Sequence, residues 1–569
     1  MPDNKVIEVS NLKYRYPGAK KLAIDDVSFS INKGEFIGIV GANGAGKSTL
    51  CQAIIGLVPQ FYKGAYGGKV IINTQSGVQF EAGKTSVTNN SSYVGLIFQN
   101  PFNQLSGAKD TVYEEVAFGL QNLGVDRGEM NVRIERVLKQ LDIWQYRERN
   151  PFELSGGQMQ RVAIASILVM EPEIIILDEP TSQLDPQGTE EVFKVVDYLS
   201  QTGKTIIMVE QKMEVMAHYC DRILLMDGGK LVEYGSPETI FSRGDIYEHN
   251  VEPPVYTRLC RSLDLHDNNG NFAVTLDGVK ALIDKMPEAD RKKLDADVSK
   301  LNNNELKALA SDSADEENIF EVRGLDFSYS ENVHIFDGLN LDLKLCPTAI
   351  IGQNGAGKTT LVRLLKGLLK PSGGSVKLLG EDISEKTVAA LASKVGYVFQ
   401  NPDDQIFKTN VLHEVMFGPM NIGMNEDTAK KKALEALELM GLKGKEHENP
   451  YDLELNERKM VAIASVVAMD TDVLILDEPT IAQDYAGKKA ISEMIRKLSD
   501  EGKLVIAILH DMDFVAENFS HVCVMAHGNV LLEGSAEYVF RQDDILTEAK
   551  LKKPHSVQLS EAIMRTQNE

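Results

Sequence analysis

Residues 41–49 read Gly-Ala-Asn-Gly-Ala-Gly-Lys-Ser-Thr, and residues 352–360 read Gly-Gln-Asn-Gly-Ala-Gly-Lys-Thr-Thr. Both fit GxxxxGK[S/T], and each follows an apolar strand-like run and opens a helical pattern. Glycines in such a loop leave backbone N–H groups free to wrap phosphates, while the lysine reaches the β- and γ-phosphates. The first candidate set is therefore Gly41, Ala42, Asn43, Gly44, Ala45, Gly46, Lys47, Ser48 and Thr49. The second is Gly352, Gln353, Asn354, Gly355, Ala356, Gly357, Lys358, Thr359 and Thr360. The hydroxyls of Ser48 and Thr359 suit Mg²⁺.

Outward from these loops, the whole chain repeats. Val94-Gly-Leu-Ile-Phe-Gln-Asn-Pro101 recurs as Val395-Gly-Tyr-Val-Phe-Gln-Asn-Pro402. Ile174-Ile-Ile-Leu-Asp-Glu-Pro-Thr181 recurs as Val473-Leu-Ile-Leu-Asp-Glu-Pro-Thr480. The offset is 299 from Asp178 to Asp477 and 311 from Lys47 to Lys358. The first half thus carries about ten extra residues before Gln99, expected in the polar stretch Thr74–Ser92 as a longer loop or hairpin. A chain of 569 residues is also too long for one core. The reading is two domains, 1–252 and 319–569, joined by a linker, 253–318. Helical spacing over Val279–Leu309 gives that linker one or two short helices between polar flanks, His266–Asn271 and Ser311–Asn318. The tail after Tyr538 is charged and amphipathic.

Apolar strands (Phe36–Val40, Ile174–Leu177, Thr205–Val209) alternate with helical patterns in each half. The expected class is α/β, two tandem P-loop NTPase domains, each a mostly parallel sheet covered by helices. The ligand belongs at the carboxyl ends of the strands.

Other readings follow from composition. The net charge of −23 argues against nucleic acid as the main partner. Five scattered cysteines without a CxxC pair point to reduced thiols, with Cys51 in a packing role. No apolar run approaches the ~18 residues of a membrane span, and the start carries no signal-peptide pattern.

Further chemistry lies at matched positions. Asp178-Glu179 and Asp477-Glu478 each follow four apolar residues, and an acidic pair at a buried strand end calls for a cation. The aspartate suits Mg²⁺ and the glutamate suits polarising water. Gln99 and Gln400 can orient water and touch Mg²⁺. Tyr16 and Tyr329 lie about 30 residues before the two lysines, placed either to stack on adenine or to pack in a core. His510 follows an apolar strand and can contact a γ-phosphate, but its counterpart is Gln211.

One matched pair is unequal. Pro151-Phe-Glu-Leu-Ser-Gly-Gly-Gln-Met-Gln-Arg-Val162 faces Pro450-Tyr-Asp-Leu-Glu-Leu-Asn-Glu-Arg-Lys-Met-Val461. Gly156 and Gly157, opening the apolar run Val162–Val169, form a good anion site at a helix start. Its candidate contacts are Ser155, Gly156, Gly157 and Gln158. In the second copy the glycines are Leu455 and Asn456, and Glu454 replaces the serine.

This motif set, in this order, resembles the ATPase domains of ABC transporters twice over, each with a helical signature subdomain. Phe98-Gln-Asn-Pro-Phe-Asn-Gln104 and Phe399-Gln-Asn-Pro-Asp-Asp-Gln405, followed by Glu115-Val-Ala-Phe-Gly119 and Glu414-Val-Met-Phe-Gly418, resemble the energy-coupling-factor subfamily. That likeness implies a fused, Mg²⁺-dependent ATPase on the cytoplasmic face of the cell membrane. It would be peripheral, energising uptake of a vitamin or metal ion through a membrane T protein and a substrate-binding S protein, with no cargo of its own. It also implies head-to-tail halves, each nucleotide lying between one phosphate loop and the other signature. One site then has Lys358, Gln400, Asp477, Glu478 and His510 against the intact signature. The other has Lys47, Gln99, Asp178, Glu179 and Gln211 against the broken one, where Glu454 meets a polyanion. Like charges at ~4 Å and an effective dielectric of ~20 repel by about 4 kcal/mol. Arg458 and Lys459 are expected to offset part of this. Asp403 and Asp404 suggest that the second half prefers a basic coupling helix. Two other readings compete: a tandem ATPase acting on ribosomes or nucleic acid, and a fused sugar-importer ATPase.

Overall fold

The computed structural model describes residues 4–286 and 318–565, except 183, 185 and 332. It divides into two compact units, Met1–Lys285 and Met286–Glu569. The strands of the first unit are β1 (Lys5–Arg15), β2 (Ile24–Asn32), β3 (Phe36–Val40), β4 (Ala65–Asn73), β5 (Gln79–Glu81), β6 (Val94–Ile97), β7 (Ile174–Asp178), β8 (Thr205–Val209), β9 (Arg222–Asp227) and β10 (Lys230–Gly235). They form two sheets, β2-β1-β4-β5 and β10-β9-β3-β8-β7-β6. The larger is parallel from β9 to β6, with β10 added antiparallel at its edge. The smaller is wholly antiparallel, a layer the sequence reading did not separate from the parallel sheet.

The central strands read as unbroken apolar runs because both of their faces are covered. Ile37 and Ile39 of β3 enter a core shared with the small sheet and the helix Lys47–Ile55. Their neighbours Phe36 and Val40 enter a second core with the helices Val112–Asn122, Arg127–Gln140 and Gly156–Leu168. β7 divides the same way: Ile174 and Ile176 to one side, Ile175 and Leu177 to the other.

The second unit repeats this order with β11 (Asn318–Ser330), β12 (Val333–Lys344), β13 (Thr348–Ile351), β14 (Gly373–Leu378), β15 (Glu381–Asp382), β16 (Val395–Val398), β17 (Val473–Asp477), β18 (Leu504–Ile508), β19 (His521–Ala526) and β20 (Asn529–Ser535). Its sheets run β12-β11-β14-β15 and β16-β17-β18-β13-β19-β20. Among the described residues no helix is long and apolar enough to cross a membrane.

The extra residues of the first half are split. Val9 pairs with Val70 and its counterpart Val322 pairs with Val376, so the offset at this strand is 306. It is 311 at the phosphate-loop lysines and 301 from Val94 to Val395. Half of the insertion therefore precedes Val70 and only half falls in the β4–β5 hairpin region.

The repeat also runs past residue 252. The helix Val255–Ser262 starts with the Val255 N–H donating to Glu214 at 2.9 Å. The helix His555–Arg565 starts with the His555 N–H donating to Asp513 at 2.7 Å. Pro254 and Pro554 precede them. The start of the segment read as linker is thus the counterpart of the tail. A further helix, Leu276–Asp284, covers the beginning of the stretch with helical spacing, and 287–317 lie outside the described residues.

Candidate active site

Each phosphate loop leaves a central strand and turns into a helix, and its geometry demands glycine at two places. Gly41 sits at φ +146, where a Cβ would lie 2.0 Å from the Met226 carbonyl oxygen. Gly46 sits at φ +97, where a Cβ would lie 2.3 Å from the Ala23 oxygen. Gly352 and Gly357 repeat these conformations. The lysine is buried and held beneath the loop in both units. Lys47 Nζ donates to the carbonyls of Gly41 (2.8 Å) and Ala42 (2.7 Å), and Lys358 Nζ to those of Gly352 (2.7 Å) and Gln353 (3.0 Å).

The remaining motif residues sit at the carboxyl ends of neighbouring strands. Along β3-β8-β7-β6 these ends present the loop, Glu210-Gln211, Asp178-Glu179 and Gln99. Adjacency brings them together. Gln99 Nε2 donates to Glu179 Oε2 at 2.8 Å, and Gln211 Nε2 to Glu179 Oε1 at 3.0 Å. Gln211 also reaches Asn43 of the loop at 3.4 Å. In the second unit Gln400 Nε2 donates to Glu478 Oε2 at 2.6 Å, and His510 Nε2 lies 2.9 Å from Glu478 Oε1.

The two glutamates differ electrostatically. Burial pushes Glu179 up to about 7; the Gln211 hydrogen bond and Lys47 oppose this, and Glu210 and Asp178 add to it. Burial also pushes Glu478 up, but His510, Gln400 and Lys358 outweigh it and hold the carboxyl below its usual value. The difference traces to one strand end, where the first unit has Glu210-Gln211 and the second has Leu509-His510. Glu210 is buried and accepts from the Thr181 hydroxyl at 2.8 Å.

The oxygen set fits Mg²⁺. Ser48 Oγ donates to Asp178 Oδ1 at 3.2 Å, Tyr397 OH donates to Asp477 Oδ2 at 2.9 Å, and Asp477 Oδ1 is buried with no partner among the described residues. Burial raises both aspartates, the shift a divalent cation would reverse. Among the described residues no cluster of three or more His, Cys, Asp or Glu could hold an ion. Mg²⁺ on a polyphosphate needs none, since one or two carboxylates and the phosphates suffice.

The signature region separates folding need from surface chemistry. Ser155 and Gln158 close a capping box on the helix Gly156–Leu168. A Cβ on Gly156 would meet nothing within 4 Å. The second unit builds a helix of the same 13-residue length, Leu455–Val467, without either glycine. The fold does not require Gly156.

Arg458 and Lys459 do not stand free to offset Glu454. Arg458 pairs with Asp403 at 3.2 Å. Lys459 is buried, and its Nζ donates to the Glu478 main-chain carbonyl. The same ion pair neutralises half of the acidic turn at Asp403-Asp404. In the first unit Asp403 is matched by Phe102 and Arg458 by Met159; Phe102 is exposed, its ring centroid 6.0 Å from that of Phe152, whose own counterpart Tyr451 is also exposed.

Tyr16 and Tyr329 lie at the rim of the loop helices, their hydroxyls 3.1 Å from Thr49 Oγ1 and 3.3 Å from Thr360 Oγ1. The core aromatic of this strand is Tyr14, fully buried. Sequence reasoning missed four contributors: Glu210, Tyr397, and the pair Gln104 and Gln405. Gln104 accepts from Phe98 N–H at 3.1 Å and donates to the Ala163 carbonyl at 2.6 Å, tying the glutamine loop to the signature helix. Gln405 does the same with Phe399 and Ala462. Its conservation between the halves, five residues after Gln99 and Gln400, was a legible signal; Glu210 and Tyr397 occur in one half only.

Comparison with known proteins follows the same lines. A family model described as ABC transporter matches residues 24–182 and 337–481. A "putative ABC transporter ATP-binding protein" of Methanosarcina acetivorans is 36% identical over 558 residues, 97% of this chain and 90% of that protein. One of the same description from Caldanaerobacter subterraneus subsp. tengcongensis is 35% identical over 570 residues, 99% of this chain and 97% of that one. Among solved structures, cbiO1 of Clostridium perfringens, part of the ABC transporter complex cbiONQ, is 35% identical. It covers 43% of this chain and 100% of its own, with a TM-score of 0.37.

Proposed function

The chain belongs to the ABC transporter family, and from that premise we propose that it is the fused ATPase of an energy-coupling-factor importer. It binds ATP with Mg²⁺ and hydrolyses it; the proposal concerns what that hydrolysis drives and where it happens. The work driven is uptake of a vitamin or transition-metal ion through a separate membrane T protein and S protein, with this chain peripheral on the cytoplasmic face. The support for these partners is the twice-repeated FQNPxxQ stretch, whose last glutamine ties the glutamine loop to the signature helix.

Hydrolysis is assigned to the second phosphate loop, closed by the first half's intact signature in the head-to-tail order the family resemblance implies. The observation that carries this assignment is the surroundings of Glu478. Gln400 and His510 each hold one of its oxygens, and the imidazole favours the ionised form. An ionised, fixed carboxylate can orient water and take its proton. Lys358, from beneath the loop, supplies positive charge to the phosphates. When bound, Mg²⁺ would neutralise charge on the phosphates, and Asp477 and Thr359 would hold it. The first phosphate loop binds nucleotide and turns over slowly, because in that implied order it would meet Glu454, Leu455 and Asn456.

The test of partners is a pull-down of the full chain from detergent-solubilised membranes of its host. Co-recovery of a T-like membrane protein and a small S protein supports the reading, and the S protein names the cargo class. Recovery of ribosomes or RNA without membrane protein overturns it and leaves a tandem ATPase.

A further inference from the structure

One buried cation is not used by the chemistry above. Lys459 lies on the helix Leu455–Val467, which opens with the broken signature, and it is only 2% exposed. Its Nζ donates to the main-chain carbonyl of Glu478. Burial lowers its proton affinity to about 8, with Glu478 and Asp477 pulling the other way. A buried lysine is costly unless its hydrogen bonds fix something.

What it touches is a strained residue. Glu478 has φ +51, the left-handed region that side-chain-bearing residues seldom adopt. Its N–H donates to the Ile508 carbonyl at 3.1 Å, its two carboxylate oxygens meet Gln400 and His510, and Lys459 takes the carbonyl. All three polar groups of residue 478 are therefore held. The first unit lacks this last contact. Its register-matched residue is Gln160, whose Nε2 is buried with no partner among the described residues, and the Glu179 carbonyl instead accepts from Ser182 within its own turn.

We propose that Lys459 is a positioning residue for Glu478, joining the helix that carries the broken signature to the glutamate that serves hydrolysis. The consequence is a one-sided link inside the second unit: the helix that would meet the slow site is tied to the backbone of the fast site's glutamate. Among the described residues the first unit shows no such tie. The inference rests on the reading of Glu478 as the hydrolytic glutamate.

The experiment measures kcat and KM for ATP in the full chain, in K459Q and K459M, each also combined with E478Q, with thermal melting of every variant. K459Q places the residue that the first unit accommodates at this position, so it preserves folding even if K459M does not. The expected result is a fall in kcat of roughly tenfold with KM within about twofold, short of the roughly 100-fold that an ångström of misplacement can cost. On the E478Q background the same changes add no further loss, because the lysine acts through the glutamate. Folded K459Q and K459M with wild-type kcat, while E478Q is inactive, overturn this inference alone. An equal further loss on E478Q also overturns it, since the lysine would then act through packing. Full turnover by E478Q overturns the reading of Glu478 and this inference with it.

Discussion

Glu179 and Glu478 occupy the same place in two copies of one fold. Both sit at left-handed φ, +47 and +51, and both donate their N–H to the neighbouring strand, at 2.9 and 3.1 Å. Their surroundings differ at several matched positions, among them Gln211 for His510, Glu210 for Leu509, and Gln160 for Lys459. None of the three changes alters a strand or a helix boundary at the site. The backbone frame has stayed constant while the groups around the glutamate have changed, from one acid and two glutamines to a leucine, a histidine and a lysine. A triphosphate brought beside either carboxylate raises its proton affinity further. Burial already holds Glu179 up near 7, whereas His510, Gln400 and Lys358 hold Glu478 below its usual value, so the two carboxyls meet that field from different starting points.

The sharpest way to break this comparison is to remove one carboxylate at a time. Glu478→Gln is expected to lower steady-state ATP turnover by about 100-fold or more, the usual scale for losing a general base. Glu179→Gln is expected to lower it less than about threefold. The opposite ranking, measured on the purified chain at saturating ATP, would reverse the assignment of fast and slow sites.

A second test separates folding from function in the signature. Gly156 is exposed, and a Cβ there meets nothing within 4 Å. Gly156→Leu, copying the second half, should leave the melting temperature unchanged or raise stability by about 0.5 kcal/mol, since glycine has more backbone freedom to lose. Turnover should fall on the order of tenfold, because the side chain blocks close approach of the backbone to a phosphate. A melting temperature that falls together with activity would mean that the glycine serves the fold instead.

His510→Gln, making the second glutamate resemble the first, is expected to have a smaller effect. Glutamine can still donate to Glu478, as Gln211 does to Glu179, so the hydrogen bond survives and the counter-charge is lost. A drop of roughly threefold to tenfold in kcat corresponds to the charged share of such a bond. Wild-type turnover in H510Q would show that the imidazole is not what distinguishes the two sites.

The same matched positions show why parts of this molecule were legible in its sequence and parts were not. The phosphate loops, the Asp-Glu pairs and the glutamines sit at the ends of strands with both faces buried. Both the apolar run and the motif are therefore visible locally. The small antiparallel sheet was not, because β4 and β14 carry glycines and half-buried polar positions that blur the period of two. The helix Val255–Ser262 was missed as a repeat because it shares little with His555–Arg565 beyond a proline and a leucine; its identity lies in a main-chain bond to Glu214 or Asp513. Lys459 was misjudged for a related reason. Its place beside a broken signature suggested an outward cation, whereas position along the helix turns it inward, with Met460 and Val461, toward β17.

The least effect is expected where sequence alone suggested a strong one. Asp403 and Asp404 read as an acidic docking turn, but Asp403 is paired with Arg458, and both side chains are partly solvent-exposed. A pair of this kind contributes at most about 1 kcal/mol. Asp403→Asn should therefore shift melting by no more than a few degrees and change recovery of the membrane partner little. The first half offers a contrast at one position: Phe102 exposes an aromatic ring where the second half has the paired Asp403, while the exposed Phe152 is matched by the exposed Tyr451. Exposed aromatic area is what a partner helix can bury, so Phe102→Ala should weaken co-purification more than Asp403→Asn. If Asp403→Asn were the more damaging change, net charge rather than apolar area would govern docking. The two halves would then differ at this turn in charge, as the acidic pair first suggested, and not in exposed hydrocarbon.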